Sequence, residues 1–231
     1  MIDLEAIASN AMIASGDDPA GAAADLRANA YGHGTLAVAR ALESAGIGAV
    51  VVSTSEEAGA LLAAGIRVPV VEAADEHGRR NAGFKLVHGR NIFAAAEPAR
   101  ATMRLSGEVI SVKSVAAGIG VSYGYTYRTK RRTRLALVAL GFADGIPRSS
   151  ANRAPIRIGG FTGMVSGRVA MDQFVVDLGE AEAEVGDEAV VFGSADRGDP
   201  SLISWSDTVA VHPLVLLARL GRRITRVEGS L

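Results

Sequence analysis

The sequence predicts two kinds of structure in succession, an α/β segment followed by an all-β segment. Three observations carry this reading. Gly46 to Ser53, Gly-Ile-Gly-Ala-Val-Val-Val-Ser, is a continuous apolar run of strand length, the mark of a strand buried on both faces in a parallel sheet. Around it, from Ala22 to Glu72, strand-like and helix-like stretches alternate. From about Arg100 onward, short strand-like stretches recur with Gly and Asp turns between them, as in a compact β-barrel or sandwich.

Taken in order, Ile2 to Ser15 has apolar residues at Ile2, Ala6, Ile7, Ala11, Met12 and Ile13, which suits a strand end and then a helix. Gly16 to Gly21 is a turn, with Asp17, Asp18 and Pro19 as breakers. Ala22 to Arg27 leads as a strand into a glycine turn, and Thr35 to Ser44 has a helical pattern. After the Gly46–Ser53 strand, Thr54 offers a cap and Glu56 and Glu57 sit in the first turn of a helix closed by Gly65. Val68 to Glu72 is the next strand, which makes two βαβ units. Ala73 to Gly83 is polar. Further on, Met103 to Val115 alternates, Tyr123 to Thr126 follows a Gly turn, and Leu135 to Leu140 reads as a strand. Ile156 to Ile158, Thr162 to Val169, Phe174 to Val176 and Glu188 to Phe192 continue the pattern. Leu214 to Leu220 reads as a late helix ended by Gly221.

Composition narrows the function. The 231 residues suffice for one large or two small domains, and 48% apolar with 21% charged residues reads as globular. A net charge of -1 gives no reason to expect nucleic acid or an acidic membrane as partner. There is no cysteine, hence no disulfide framework and no thiol chemistry. The four histidines, His33, His77, His88 and His212, lack metal-ligand spacing, so no metal site is expected. Neither a signal peptide nor a membrane-spanning run is visible, and a cytoplasmic location is the default. Lysine is scarce: only Lys85, Lys113 and Lys130.

The stretch Asp25 to Gly34 reads Asp-Leu-Arg-Ala-Asn-Ala-Tyr-Gly-His-Gly. It resembles the signature of the alanine racemases, Lys-Ala-Asn-Ala-Tyr-Gly-His-Gly. Ala28 to Gly34 match, and Arg27 stands where that family has the lysine that holds pyridoxal phosphate. The phrase Ser-Thr-Ser-Glu-Glu-Ala, Ser53 to Ala58, is similar to the first part of the racemase barrel. Phe84 to Phe93 resembles its last strand, Asp-Leu-Val-Arg-Pro-Gly-Ile in the usual form. Between these the family has several more βα units, and this chain has about a dozen residues. A closed eight-stranded barrel takes roughly 200 to 250 residues, more than precede the second segment here. From about Met103 to Val227 the chain is similar to the racemase C-terminal β domain. The motifs are Gly120-Val-Ser-Tyr-Gly-Tyr-Thr-Tyr127, Leu140-Gly-Phe-Ala-Asp-Gly-Ile-Pro-Arg148 and Gly167-Arg-Val-Ala-Met-Asp-Gln173. The resemblance implies a truncated (β/α) barrel remnant over residues 1–97, then an all-β barrel-like C-terminal domain over 98–231. A different, small βαβ domain is the alternative for the first part.

The same resemblance implies pyridoxal phosphate as cofactor, L- and D-alanine as substrates, and a head-to-tail homodimer. Racemisation needs bases on opposite faces of Cα, with the cofactor as electron sink. By resemblance these are the lysine, here Arg27, and a tyrosine of the other subunit, matched by Tyr123. Met171 and Asp172 match the substrate-side wall, and Tyr31 matches a tyrosine lining the cofactor phosphate. The arginine facing the pyridine nitrogen falls on His88, and a phosphate-binding tyrosine falls on Leu214. The arginine that holds the substrate carboxylate lies in the missing segment. A guanidinium stays protonated and forms no stable imine, so Arg27 does not replace the lysine. Lys85, the lysine nearest the barrel remnant, faces opposite to His88.

Plain alternatives stand beside these roles. Tyr31 and His33 are also read as packing a turn, Tyr123 as a half-buried strand tyrosine, His88 as a core histidine, and Asp144 and Arg148 as structural. Arg131, Arg132 and Arg134 read as a solvated strand edge. Asp25 stands where the family has an apolar residue, and strand alternation puts it on one face with Arg27, so the two are expected to pair. Three readings follow: an active racemase, a degenerate member with catalysis lost or severely impaired that keeps the dimerisation surface or weakly binds the cofactor, and a non-catalytic interaction module. The second is preferred. Uncovered barrel edges and the family's habit both predict a dimer or larger assembly.

Overall fold

The structure, a computed structural model, describes residues 1–75, 83–94 and 99–231. Two compact units emerge: Met1–Met103 together with Arg226–Leu231, and Arg104–Thr225. The boundary expected between residues 97 and 98 lies outside the described residues, as does His77.

In the first unit, helix α1 (Leu4–Ser15) starts at Asp3, whose Oδ1 accepts the Ala6 N–H at 2.8 Å. That satisfies one of the helix's orphan donors. Strand β1 (Ala22–Asp25), helix α2 (Thr35–Ser44), strand β2 (Ala49–Val52), helix α3 (Ser55–Ala63) and strand β3 (Val70–Glu72) follow in the expected alternation. Thr54 caps α3 as its sequence suggests, accepting from the Glu57 N–H at 3.2 Å. Strand β4 (Lys85–Val87) completes a parallel sheet of order β3-β2-β1-β4. All of β1 and β2 is buried, which is why neither alternates: β2 is Ala-Val-Val-Val, and β1 is three alanines before the buried Asp25. Register sets Ala23 opposite Ala49 and Leu86, and Asp25 opposite Val51, so these share one face. Ala23, Ala49 and Val51 form a small apolar cluster there, with Ala73, Phe84 and Leu86 packed on it. This is the α/β part that the sequence predicts.

Two expectations are corrected here. The strand read over Phe84 to Phe93 is only Lys85–Val87; the chain then turns into a short helix α4 (Gly89–Phe93). Burial of Ile92 and Phe93 favours that turn, and the Asn10 side chain fixes it by donating to the Ile92 carbonyl at 2.9 Å. The strand carrying Arg27 also ends early, at Asp25, because the chain bends at Leu26. The C-terminal residues belong to this unit: Ile2 N–H donates to Val227 O at 2.7 Å, and Leu231 N–H to Asp3 Oδ2 at 2.9 Å.

The second unit is built on an antiparallel sheet. Its strands are β5 (Leu105–Val115), β8 (Thr133–Val138), β9 (Pro155–Ile158), β10 (Phe161–Met164), β11 (Phe174–Gly179) and β12 (Glu188–Phe192), in the order β10-β9-β12-β5-β8-β11. A bridge between Val165 and Val176 joins the two ends, with Ser166 N–H donating to Val175 O at 2.7 Å. The sheet thus nearly closes into a barrel, which removes its open edges. The hairpin β6 (Gly120–Val121) with β7 (Tyr127–Arg128) stands apart. Helix α5 (Leu202–Val209), absent from the sequence reading, carries Trp205 into the core. Its indole N–H donates to Pro155 O at 3.0 Å, and its ring meets Phe192 edge-on. Helix α6 (Pro213–Ala218) opens on proline, whose missing N–H is harmless at a first turn. Arg131 and Arg134 pair with exposed Glu180 and Glu182, as a solvated edge should, and such pairs contribute about 0–1 kcal/mol.

Candidate functional site

At the C-terminal end of β1 the chain enters a single turn, Arg27–Tyr31, of unusual hand. Ala28, Asn29, Ala30 and Tyr31 all have φ between +49° and +56°. None is glycine, and left-handed backbone costs L-residues about 1–2 kcal/mol each. The surroundings hold it in place. Ala30 N–H donates to Leu26 O at 2.9 Å, and Gly34 N–H to Asn29 O at 3.0 Å. Gly32 and Gly34 continue the positive φ at +85° and +101° before α2 begins. Gly34 has no side chain to cap α2, so Asn29 Oδ1 serves instead, accepting the Thr35 N–H at 3.0 Å. Arg226 Nε donates to Gly32 O at 2.5 Å. Strain gathered at strand ends in this way is typical of functional sites.

His33 is the buried anchor of the turn. Its Nδ1 lies 2.9 Å from Ala30 O and 3.2 Å from Tyr31 O, so that nitrogen carries the proton. Nε2 is 3.0 Å from Thr102 Oγ1, and the ring stacks against Phe93 at 4.6 Å. Burial pushes its pKa down to about 4, against the pull of the two carbonyls. His33 is therefore neutral near pH 7 and packs the turn.

Asp25, 1% exposed, is the hub of a polar cluster beneath that turn. Arg27 reaches back to it with two parallel bonds, Nε to Oδ1 at 2.8 Å and Nη2 to Oδ2 at 2.7 Å. The Arg27 backbone N–H adds a third at 3.3 Å, and the Tyr31 hydroxyl donates to Oδ2 at 2.7 Å. Burial alone would raise the Asp25 pKa, but the bonds from Arg27 and Tyr31 outweigh it and the carboxyl lies below its usual range. Arg27 is in turn pushed up, first by its hydrogen bond to Asp25. Burial, then Asp25, raises Tyr31 to about 12, so it is no base at neutral pH. The cluster joins a carboxylate, a guanidinium and a neutral phenol, with net charge zero. Pairing of Asp25 with Arg27 is thus present as the sequence suggests, although Arg27 reaches it from the turn, outside the strand.

The other residues singled out from the sequence divide between the units. His88 is exposed at the start of α4. Next to it Gly89 is buried against Tyr31, where a side chain would run into the ring. Lys85 sits in register with Ala22, on the sheet face away from Asp25. In the second unit, Tyr123 and Met171 line one cavity of about 530 Å³ with Phe142, Arg148, Asn152 and Arg168. Asp172 is exposed beside it and does not line it. Leu214 is half-buried on α6. Two arginines flank the Phe142 ring, Arg148 at 4.9 Å and Arg219 at 5.9 Å from its centroid. Arg148 and Arg168 make this cavity cationic beside an apolar floor, suited to a small anion. The sequence reading gave Arg148 only a structural part and did not single out Arg168. Among the described residues no group of His, Asp or Glu has metal-site geometry, and no helix is long and apolar enough to cross a membrane.

Comparison with known proteins points one way. The family profile described as "Alanine racemase, C-terminal domain" matches residues 102–228, and "Alanine racemase, N-terminal domain" matches residues 2–83. The alanine racemase of Thermobifida fusca is 45% identical over 128 residues, 55% of this chain and 34% of that protein. That of Streptomyces coelicolor is 45% identical over 128 residues, with 55% and 33% covered. The match therefore spans about a third of the length of these relatives. Among solved structures, the alanine racemase from D-cycloserine-producing Streptomyces lavendulae superposes with a TM-score of 0.86 at 27% identity, over 100% of this chain and 96% of that one. The Bacillus anthracis enzyme, at 18% identity, shares the fold with a TM-score of 0.85, over 99% and 94%. With the C-terminal profile alone covering more than half of its residues, this chain belongs to the alanine racemase family.

Proposed function

We propose that this chain is an alanine racemase-family protein in which interconversion of L- and D-alanine is lost or severely impaired. The observation that carries this is Arg27, closed onto Asp25 at the position where the family resemblance puts the cofactor's lysine. The family is dependent on pyridoxal phosphate. The residues present do not fit a covalently held cofactor. A guanidinium is always protonated and offers no free amine. Lys85, the first unit's lysine, is on the wrong face of the sheet. Tyr31, which the resemblance assigns to the cofactor phosphate, donates its hydroxyl to Asp25 instead. His88 places an imidazole where the family resemblance puts an arginine. The lost lysine also removes one of the two bases that racemisation needs.

The second unit supports a retained binding or pairing role. Tyr123 is 66% exposed and Met171 59%, and because both line the same cavity they belong to one exposed, largely apolar patch. We take them, with Asp172, as the residues this chain would present to a partner subunit of a cytoplasmic homodimer. In that reading the protein is a dimerisation or interaction module of racemase descent.

The test is spectroscopic. Purified protein is mixed with pyridoxal phosphate, its absorbance is recorded, and borohydride is added before peptide mapping. No cofactor is expected to be fixed in the first unit. Stoichiometric fixation on Lys85 would overturn the reading.

A further inference from the structure

The loss of lysine at position 27 is one change; Asp25 is a second, and the geometry gives it a separate chemical consequence. Asp25 lies on the same face as Ala23, Ala49 and Val51, an otherwise apolar environment. Its two oxygens take Arg27 as a fork and the Tyr31 hydroxyl as a third donor. The carboxylate therefore remains ionised despite its burial. Among the described residues, the titratable groups acting on the Arg27 side chain are Asp25 from β1 and Tyr31 from the turn itself. A Tyr31 phenol that stays neutral adds a donor to Asp25 and leaves its negative charge uncompensated except by position 27.

We propose that Asp25 closes position 27 to nucleophilic chemistry by holding the basic side chain that stands there, arginine or a substituted lysine, as its ion-pair partner. This rests on the reading that the chain has lost its cofactor amine, and extends it: Arg27→Lys by itself does not restore a reactive amine. The Arg27 fork meets the Asp25 oxygens at 2.8 and 2.7 Å, and a lysine ammonium at this position is expected to pair with the same carboxylate. An opposite charge within about 4–6 Å raises an amine's pKa by roughly 1–3 units. Each unit is a tenfold fall in the free-amine fraction at fixed pH. The apolar residue that the family has at position 25 leaves no such charge, so Asp25 and Arg27 act as a matched pair.

Reductive methylation reads this directly, with formaldehyde as the aldehyde and cyanoborohydride as the hydride donor. The amine lone pair adds to the formaldehyde carbon, water leaves, and hydride reduces the C=N bond. Mass spectrometry follows labelling at position 27 against pH, with Lys85, Lys113 and Lys130 as internal references in the same chain. In Arg27→Lys the residue is expected to be modified about tenfold or more slowly at pH 8 than in Asp25→Asn/Arg27→Lys. Its rate–pH profile is expected to lie at least about one unit higher. Asp25→Asn keeps shape and hydrogen-bonding capacity, and Asp25→Val/Arg27→Lys serves as a second variant, with circular dichroism confirming that each folds. Equal rates and profiles in the single and double variants would overturn the lock while leaving the loss of turnover in the native chain untouched. Cofactor fixation on the unmodified chain would instead contradict the underlying reading.

Discussion

Asp25 in the first unit and Asp199 in the second are the same chemistry put to different ends. Both carboxylates are buried and both are held by arginine. Asp199 is clamped on both sides, by Arg104 Nε at 2.8 Å and Arg157 Nη1 at 2.9 Å, and Arg104 also pairs with Glu188 on β12. Its two partners come from separate parts of the sheet, Arg104 beside the start of β5 and Arg157 on β9, and through Arg104 the cluster also reaches β12, so it ties strands together. Asp25 has one cation, two residues away in sequence, and that cation is 47% exposed. Such a pair ties nothing distant. It sits instead on a left-handed turn at the ends of parallel strands, where α/β folds place their chemistry. The difference teaches how to separate a scaffold ion pair from a site ion pair: by what the partners connect and how much water reaches them, more than by bond length.

The largest effect should fall on the scaffold cluster. Asp199→Ala leaves two guanidiniums facing a buried void, and breaking a buried pair in this way costs about 3–5 kcal/mol. Chemical denaturation measures it, and a loss below about 1 kcal/mol would demote Asp199 to the class of surface pairs.

Acid comes next and should single out the first unit. The His33 pKa is depressed to about 4 in the fold, against 6.5 when free. Its contribution is fully present above pH 6.5 and is lost as pH falls toward 4, because the unfolded chain binds the proton first. A depression of that size corresponds to a few kcal/mol, on the order of 3. Hydrogen exchange between pH 7 and 4 should show the turn and α2 losing protection, and His33→Gln should flatten that dependence. An unchanged profile in the variant would show that the loss originates elsewhere.

The smallest effect is the coupling between Asp25 and Arg27. With Arg27 half in water, a double-mutant cycle of Asp25→Ala and Arg27→Ala is expected to give about 1 kcal/mol. Strictly additive losses would mean that the fork contributes nothing to stability.

The sequence makes these regions legible to different degrees. The buried strand Ala49–Val52 and helix α3 with its Thr54 cap are plain, since apolar runs and caps are local signals. Pairing of Asp25 with Arg27 is inferable from opposite charges two residues apart, but the path is not. Alternation assumes a strand that continues, whereas the chain bends at Leu26. The left-handed turn is hidden because Ala28, Ala30 and Tyr31 have no preference for positive φ and Asn29 favours it only as a single residue; Gly32 and Gly34 hint at a tight bend. Thr102 and Phe93, through His33, and Arg226 enforce it from far along the chain, and such contacts are invisible to local patterns. Helix α5 goes unread for the opposite reason: its signal is local, with Ser201 as cap, but the eight residues follow directly on a long run of strands. The cationic cavity needs Arg148 and Arg168, from two distant motifs, to come together, and sequence spacing does not reveal that.

The central proposal is that this chain of the alanine racemase family does not interconvert L- and D-alanine. Its most direct test is incubation of the purified chain with pyridoxal phosphate and L-alanine in deuterium oxide, following Cα deuterium by mass spectrometry and D-alanine by chiral chromatography. The account predicts no exchange and no inversion above a protein-free control with the same cofactor. Deuterium incorporation with inversion at an ordinary enzymatic rate, about 1 s⁻¹ or faster, would contradict it.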